Sequence, residues 1–226
     1  VDPMDVALLV DNSAAMEGDV VHLRRGLERF VDAMGGDHAI TIVGLSARPT
    51  ILTRYTRSGS ELKAGIGRIF PQPGEGMTLL DALVEVSRGI EKRETPRAAI
   101  VAVVSSGPEL GNYDDVSAIK AVRKAGASFN AVTVGHFMAT LATPDGHRAQ
   151  VLENGTRTSG GRHDNLMVAT GLPAALERLA RDLMSQYKVV YSRPESLVQA
   201  DSVDVTLSRP GLTARATPER QAGGRK

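Results

Sequence analysis

The sequence predicts a Rossmann-like, doubly wound α/β fold, a mostly parallel six-stranded sheet with helices on both faces and one antiparallel edge strand. Two observations support this fold class. Short β-branched runs alternate with amphipathic helical patterns, which is typical of βαβ units. The runs Val6–Val10 and Ala98–Val104 are apolar throughout, as strands buried on both faces of a sheet are.

The other elements follow from hydrophobic periodicity along the chain. Further strands are predicted at 38–45, 50–55, 128–134 and 188–191, and the second of these is expected to be the antiparallel edge strand. Helices are predicted at 19–34, 61–69, 79–90, 114–125 and 173–187. Within the fourth helix, Val116 is expected to face the sheet together with Val122 and Ala125.

The chain of 226 residues is long enough for one domain with a small appendage. We assign 1–191 to the domain, 192–218 to a C-terminal β-hairpin that extends it, and 219–226 to a disordered tail. The hairpin is predicted because two β-rich runs flank Ser208–Gly211, where Pro followed by Gly favours a type II turn.

Residues 136–170 form a long polar stretch, and a loop of this length usually has a function or contains a hairpin. Pro144-Asp145-Gly146 lies between two short apolar runs within it. The sequence therefore predicts a second hairpin at this point.

Composition excludes several classes of function. The 27 basic and 26 acidic residues nearly balance, so charge gives no reason to expect nucleic acid or an anionic membrane as partner. Absence of cysteine excludes disulfides and thiolate chemistry, and no apolar run is long enough to cross a bilayer. The chain opens at Val1 without an initiator Met or a signal-peptide pattern, which indicates a piece of a longer precursor.

Three polar segments are expected to meet at one edge of the sheet: Asp11–Ala15, Gly76–Thr78 and Ser105–Gly107. Two of them directly follow an apolar strand, and ligand sites of doubly wound sheets lie at the carboxyl ends of the strands. Hard oxygen ligands gathered there suit Mg²⁺, Mn²⁺ or Ca²⁺.

The order of these segments resembles the von Willebrand factor type A family. It consists of a strand with Asp-x-Ser, a helix, a loop that runs into Asp81-Ala82-Leu83, and a strand that ends in a polar tripeptide. The stretches 158–162 and 186–191 also resemble the family. The tail 203–216 is similar to the strand pair that closes a bacterial subfamily first noticed in acidobacteria, and the likeness covers roughly residues 4–218.

The resemblance implies a metal-ion-dependent adhesion site, with ligands from Asp-x-Ser-x-Ser, a middle-loop Thr and a distal Asp. Asp11 and Ser13 match this pattern, whereas Ala15 and Ser106 occupy the positions of two missing ligands. Affinity for a divalent cation follows the charge and number of its ligands. A site with one carboxylate is therefore expected to bind Mg²⁺, Mn²⁺ or Ca²⁺ weakly or not at all.

The middle-loop ligand allows two alignments. Thr78 matches the family's Thr, but an alignment of Asp81-Ala82-Leu83 without a gap places Met77 at that position instead. Glu109 or Asp114 are candidates to replace the missing carboxylate.

These residues also have a purely structural interpretation. Asp11 and Ser13 can hold their loop through side-chain hydrogen bonds to the backbone. Thr78 can cap the helix that follows it, and Asp81 lies in the first turn, where a carboxylate is favoured.

The function that the resemblance implies is protein–protein interaction or adhesion outside the cytoplasm, without enzymatic activity. We define the edge surface as residues Asp11–Glu17, Pro71–Thr78 and Ser105–Asn112, where a protein partner is expected to bind. The neighbouring residues Arg48, Arg54 and Arg57 either favour acidic partners or form a solvated face. The alternative is a structural spacer that binds nothing at this edge.

Three further kinds of site have weaker support. Neither Gly-x-Gly-x-x-Gly after the first strand nor a P-loop motif occurs, which argues against nucleotide binding. Gly-x-Ser-x-Gly is also absent, and Ser105-Ser106-Gly107 is more simply a polar turn than a hydrolase nucleophile. A histidine metal site would draw on one long region whose spacing matches no zinc pattern: His136, His147 and His163, with Asp145 and Asp164.

Overall fold

A computed structural model describes residues 2–74, 76–135, 143–187, 206–211 and 213–217. Within these ranges one sheet contains the strands β1 (Asp5–Val10), β2 (Ala39–Gly44), β3 (Thr50–Thr56), β4 (Ala98–Val104), β5 (Ala127–Val134) and β6 (His163–Leu166). Their order is β3-β2-β1-β4-β5-β6, with β3 antiparallel and the other pairings parallel. The predicted fold class is confirmed.

The helices are α1 (Val20–Met34), α2 (Gly59–Gly67), α3 (Leu79–Arg93), α4 (Asp115–Ala125), α5 (Pro144–Gln150), α6 (Thr156–Thr158) and α7 (Leu172–Met184), with a π-helical turn at Val151–Gly155. Side chains alternate along β1. Val6 and Leu8 therefore pack with α1, α2 and α7, whereas Ala7 and Leu9 pack with α3 and α4 on the opposite face. None of the helices in the described residues is long and apolar enough to cross a membrane.

The parallel strands end level with one another at one edge. Val10 of β1 lies opposite Gly44 of β2 and Val103 of β4. Because the chain continues from β1 to β2 on one side and returns to β4 on the other, the strand order reverses beside β1. Crevices that bind ligands open at such a reversal, and the residues after β1 and β4 flank it.

The sixth strand differs from the predicted one. Residues 188–191, predicted as a strand, lie outside the described residues, and the strand beside β5 is β6. Sequence periodicity missed β6 because it is a half-exposed edge strand of only four mostly polar residues. A Cβ at Gly161, just before it, would collide with the backbone carbonyl of Phe129 in β5.

The predicted hairpin around Pro144-Asp145-Gly146 is wrong, because these residues begin helix α5. Thr143 caps this helix by accepting a hydrogen bond from the Gly146 amide at 3.1 Å, and Pro144 occupies its first turn, where proline fits well. Val116 was predicted to face the sheet and is instead 67% exposed in the first turn of α4.

The predicted terminal hairpin is described only in part. In 206–211 and 213–217 the chain forms a turn but no strand, and residues 203–205 and 212 lie outside the described residues. Gly211 has φ 79°, as the third residue of a type II turn requires. The division into domain, hairpin and tail stays a prediction.

Candidate functional site

The three segments predicted to meet do meet, and backbone hydrogen bonds join them. Gln72 donates its amide to Asn12 at 2.8 Å, so the middle loop is attached to the loop after β1. Met77 donates to Pro108 at 2.9 Å, and Leu110 donates back to Met77 at 2.7 Å. The edge surface is therefore a hydrogen-bonded unit rather than three separate loops.

Asp11 lies at the centre of this unit and is fully buried. Its Oδ1 accepts from the Ser13 amide at 2.9 Å, and its Oδ2 accepts from the amide and the hydroxyl of Ser105 at 3.0 and 2.5 Å. A carboxylate offers about four acceptor sites, and the protein itself fills most of them here. Asp11 thus joins the segment after β1 to the segment after β4.

Ser13 is the one predicted ligand whose oxygen has no protein partner. Its Oγ is buried and makes no hydrogen bond. Gly107 packs over it, since a Cβ built on Gly107 would lie 3.7 Å from this oxygen and 2.8 Å from Ala15. The hydroxyl is therefore covered by the neighbouring loop.

Neither middle-loop candidate, Met77 or Thr78, is available as a ligand. Met77 is fully buried in the core. The Thr78 hydroxyl donates to the Ser46 carbonyl at 3.0 Å and does not cap α3, so the predicted capping role is wrong. Asp81 accepts from the Asn112 amide at 2.7 Å and holds the end of the segment after β4.

The actual cap of α3 is Glu109, which is 3% exposed. Its carboxylate accepts from the amides of Leu79 at 3.2 Å, Leu80 at 3.4 Å and Gly111 at 2.9 Å. Burial raises the pKa of Glu109 to about 7, against the opposing effect of these bonds and of Arg148. The carboxylate stabilises the start of a helix, and both of its oxygens are engaged by backbone amides rather than offered as a substitute ligand.

Asp114, the other candidate substitute, has an equally structural position. It is the N-cap of α4 and accepts from the Ser117 amide at 2.7 Å. Hydrogen bonding from the Ser117 side chain, followed by that from its amide, lowers the pKa of Asp114. Ser106, which stands where the family has its distal Asp, is exposed and carries no charge.

Sequence reasoning missed the most unusual residue of the site, Arg148 of α5. Its side chain is 1% exposed. It donates from Nη1 to the Gly107 carbonyl at 2.5 Å and forms an ion pair with Asp145 at 3.3 Å. Asp145 also accepts from the Glu109 amide at 2.8 Å. Only the tertiary fold brings α5 under this loop, and no sequence motif indicates it.

Arg148 is a charge inside the protein. Burial lowers the pKa of Arg148, whereas the negative charges of Glu109, Asp145 and Asp11 act in the opposite direction. A buried cation is tolerated only when it is paired and hydrogen-bonded. Arg148 meets this condition through the Gly107 carbonyl after β4 and the Asp145 carboxylate of α5.

The donor set does not fit a divalent cation. Such ions take six or more oxygen ligands, several of them carboxylates, whereas here one carboxylate is already hydrogen-bonded and one hydroxyl is covered. Among the described residues, no three His, Cys, Asp or Glu side chains are placed to hold a metal ion. The predicted ligands Asp11, Ser13 and Thr78 are near one another in the fold, but only Ser13 has an unengaged oxygen.

The histidines have separate partners. His147 lies 2.6 Å from an Asp115 carboxylate oxygen, and His163 lies 2.7 Å from the Thr133 hydroxyl. Burial lowers the pKa of His163. His136 lies outside the described residues, and Asp164 pairs with Arg162. The described histidines therefore do not form a common site.

The exposed part of the edge surface is mostly small or apolar. Its exposed residues include Ala14, Ala15, Pro73, Gly74, Pro108 and Leu110. Leu110 is 47% exposed, and Phe70 beside the middle loop is 55% exposed with the Arg24 guanidinium 4.5 Å from its ring centre. Leu110 is therefore a large apolar side chain that the edge surface exposes.

The neighbouring arginines lie in β3 and next to its two ends, and β3 is an outer strand of the sheet. Arg48, Arg54 and Arg57 are all exposed. Arg68, directly after α2, donates to the Leu52 carbonyl of β3 at 3.1 Å. An open cavity of about 420 Å³ lies between β3 and α2. This outer strand therefore presents a basic border.

Known proteins share this architecture. Residues 6–109 match the sequence model of the von Willebrand factor type A domain. No curated protein matches the chain. Among solved structures, a von Willebrand factor type A protein from Catenulispora acidiphila has a TM-score of 0.64 at 12% identity, covering 81% of this chain and 43% of its own.

Two further solved structures are similar. The pilus adhesin SpaC from Lactobacillus rhamnosus GG has a TM-score of 0.64 at 15% identity, covering 81% of this chain and 31% of its own. Proximal thread matrix protein 1 from the mussel byssus, with a zinc-occupied adhesion-site motif, has a TM-score of 0.62 at 16% identity. The match covers 80% of this chain and 45% of that protein. The chain spans less than half of these three proteins, and at such identities the likeness establishes the fold alone.

Proposed function

We propose that this chain, which carries a von Willebrand factor type A domain, is a non-enzymatic protein-interaction or adhesion module of a larger bacterial protein. It binds through the edge surface, and its dependence on metal is weakened or lost. The observation that supports this most is the hydrogen-bonded union of three loops into one surface with exposed apolar residues. Pilus adhesins and matrix proteins among the structural relatives support the class of function and a place outside the cytoplasm.

A non-enzymatic role also agrees with where the perturbed acid lies. Catalytic acids usually face a cleft with a shifted pKa. Glu109 has the shifted pKa, but its carboxylate is buried against the backbone at the start of α3. Its role is structural, and the edge surface is left to bind a partner by shape and apolar contact.

The test is affinity capture from the cell-envelope fraction of the source bacterium. The wild-type domain is compared with Ala14→Arg and Leu110→Arg, both exposed on the edge surface. Asp37→Arg, exposed just before β2 at the opposite end of the sheet, is the matched control. We expect one protein to be captured by the wild type and by Asp37→Arg but lost by both edge variants, in EDTA as well as in Mn²⁺.

Retention by all four proteins would place binding elsewhere. Capture of nothing by any of them would support the structural spacer. Capture that requires Mn²⁺ would show that the interaction still uses metal.

A further inference from the structure

Arg148 is placed where it compensates the charges around the edge surface. The guanidinium is 1% exposed and is tied to the Gly107 carbonyl and the Asp145 carboxylate. Asp11, after β1, and Glu109, after β4, are the other acidic groups whose charge acts on it. Asp145 contacts the guanidinium directly, whereas the charges of Asp11 and Glu109 act on it without a direct contact.

Arg148 lies close to the predicted ligand positions. Gly107, which accepts the guanidinium's hydrogen bond, follows Ser106 directly in the chain. Gly107 also packs against Ala15 and over the Ser13 hydroxyl. Arg148 of α5 is therefore bonded, on the buried side, to the loop in which the distal carboxylate is missing.

We infer that the Arg148 guanidinium is the resident cation of this domain and takes over the charge-balancing role of a divalent ion. The acidic groups at the edge then have a permanent positive partner from α5. A divalent cation arriving there would meet a fixed positive charge and too few free oxygens. The edge surface keeps one arrangement with or without metal. This inference rests on one part of the proposed function, namely that the domain does not depend on a metal ion.

The test separates charge from packing by three variants. Arg148→Met keeps much of the side chain's length without its charge, and Arg148→Lys keeps the charge. A triple variant adds Glu109→Gln and Asp145→Asn to Arg148→Met, which removes the acidic groups nearest to the cation. Thermal unfolding of each protein is measured at about pH 5 and pH 8, in EDTA and in millimolar Mn²⁺.

We expect Arg148→Met to unfold about 10 °C below the wild type at pH 8, because buried acidic groups lose their partner. The difference should shrink at pH 5, where Glu109, with its pKa of about 7, holds a proton and carries no charge. The neighbouring His147–Asp115 pair is present in every variant and cancels from the comparison. Arg148→Lys should lose less, and the triple variant should recover most of the loss.

Two results would overturn the inference. One is a loss in Arg148→Met that is equal at both pH values and not recovered in the triple variant, which would mean that Arg148 acts by packing alone. The other is a saturable rise of the wild-type midpoint with Mn²⁺. If Arg148→Met does not fold, folding of the triple variant supports the inference and its failure to fold contradicts it. Partner capture is not measured, so this test is independent of the one above.

Discussion

The loop after β1 forms part of the edge surface, and helix α5 contacts that surface through Arg148. The positions of these two regions were predictable to very different degrees. The loop after β1 carries Asp11 and Ser13 directly behind an apolar strand, so its position follows from the strand. Arg148 reaches the same place from α5, through a helix start that looked like a hairpin turn. The position of a residue directly after a strand can be predicted from that strand. The position of a residue on a separate helix depends on how the whole chain folds.

The two regions also stabilise the surface by different means. Asp11 works through short hydrogen bonds to the backbone and hydroxyl of Ser105 and to the Ser13 amide. Arg148 combines a hydrogen bond to the Gly107 carbonyl with a buried charge that pairs with Asp145. Substitutions in each region should therefore differ in size and in their dependence on pH.

The largest effect is expected from Asp11→Ala. It leaves three buried donors unpaired, and each such donor costs roughly 1–3 kcal/mol. We expect the free energy of unfolding in urea to fall by about 4 kcal/mol. Asp11→Asn keeps one acceptor oxygen and should lose less. A loss under about 1 kcal/mol in Asp11→Ala would show that the loop after β1 does not depend on these bonds.

A smaller effect is expected from Gly161→Ala, between α6 and β6. The new methyl group would meet the Phe129 carbonyl and push β6 away from β5. Such overpacking typically costs 1–3 kcal/mol, and we expect roughly 3 in urea unfolding because the obstacle is backbone. Gly89→Ala in α3 is the matched control, since nothing lies within 4 Å of its new Cβ. It should be neutral or slightly stabilising, and equal losses in both variants would refute the close approach of β5 and β6.

The smallest effect concerns Glu109, between the two regions, and depends on pH. Its pKa is about 7 in the folded protein against an ordinary value of 4.5, so the folded state holds a proton that the unfolded chain has released. Wild-type stability should therefore fall as the pH rises from about 5 to 7, by roughly 2 kcal/mol. Glu109→Gln cannot lose a proton and should remove this part of the slope. Urea unfolding at both pH values measures it, and an unchanged slope in the variant would contradict the raised pKa.

Much of the fold follows from the sequence because its physical basis is local. The runs Val6–Val10 and Ala98–Val104 are strands as predicted, and the antiparallel edge strand is β3. β6 was missed because half-exposed edge strands lack an apolar run. The helix start at Pro144 was missed because Pro-Asp-Gly suits both a turn and a first helical turn, and the Thr143 cap decided between them.

The candidate site was predictable in position but not in chemistry. The motif order correctly brought Asp11 together with the segments after β4 and before α3. It could not show that Ser105, rather than Ser106, bonds to Asp11, because adjacent residues differ only in which way the turn directs them. It also assigned capping to Thr78, whereas Glu109, distant by 30 positions from Leu79, supplies the cap.

The basic border along β3 has a consequence for the behaviour of the protein in concentrated solution. An outer strand with free backbone groups can pair with the same strand of another copy. Here Arg68 covers the Leu52 carbonyl, and Arg54 and Arg57 give the strand a positive charge. Two copies that approach by this strand repel each other. The charge on this strand therefore disfavours pairing of the domain with itself at this edge.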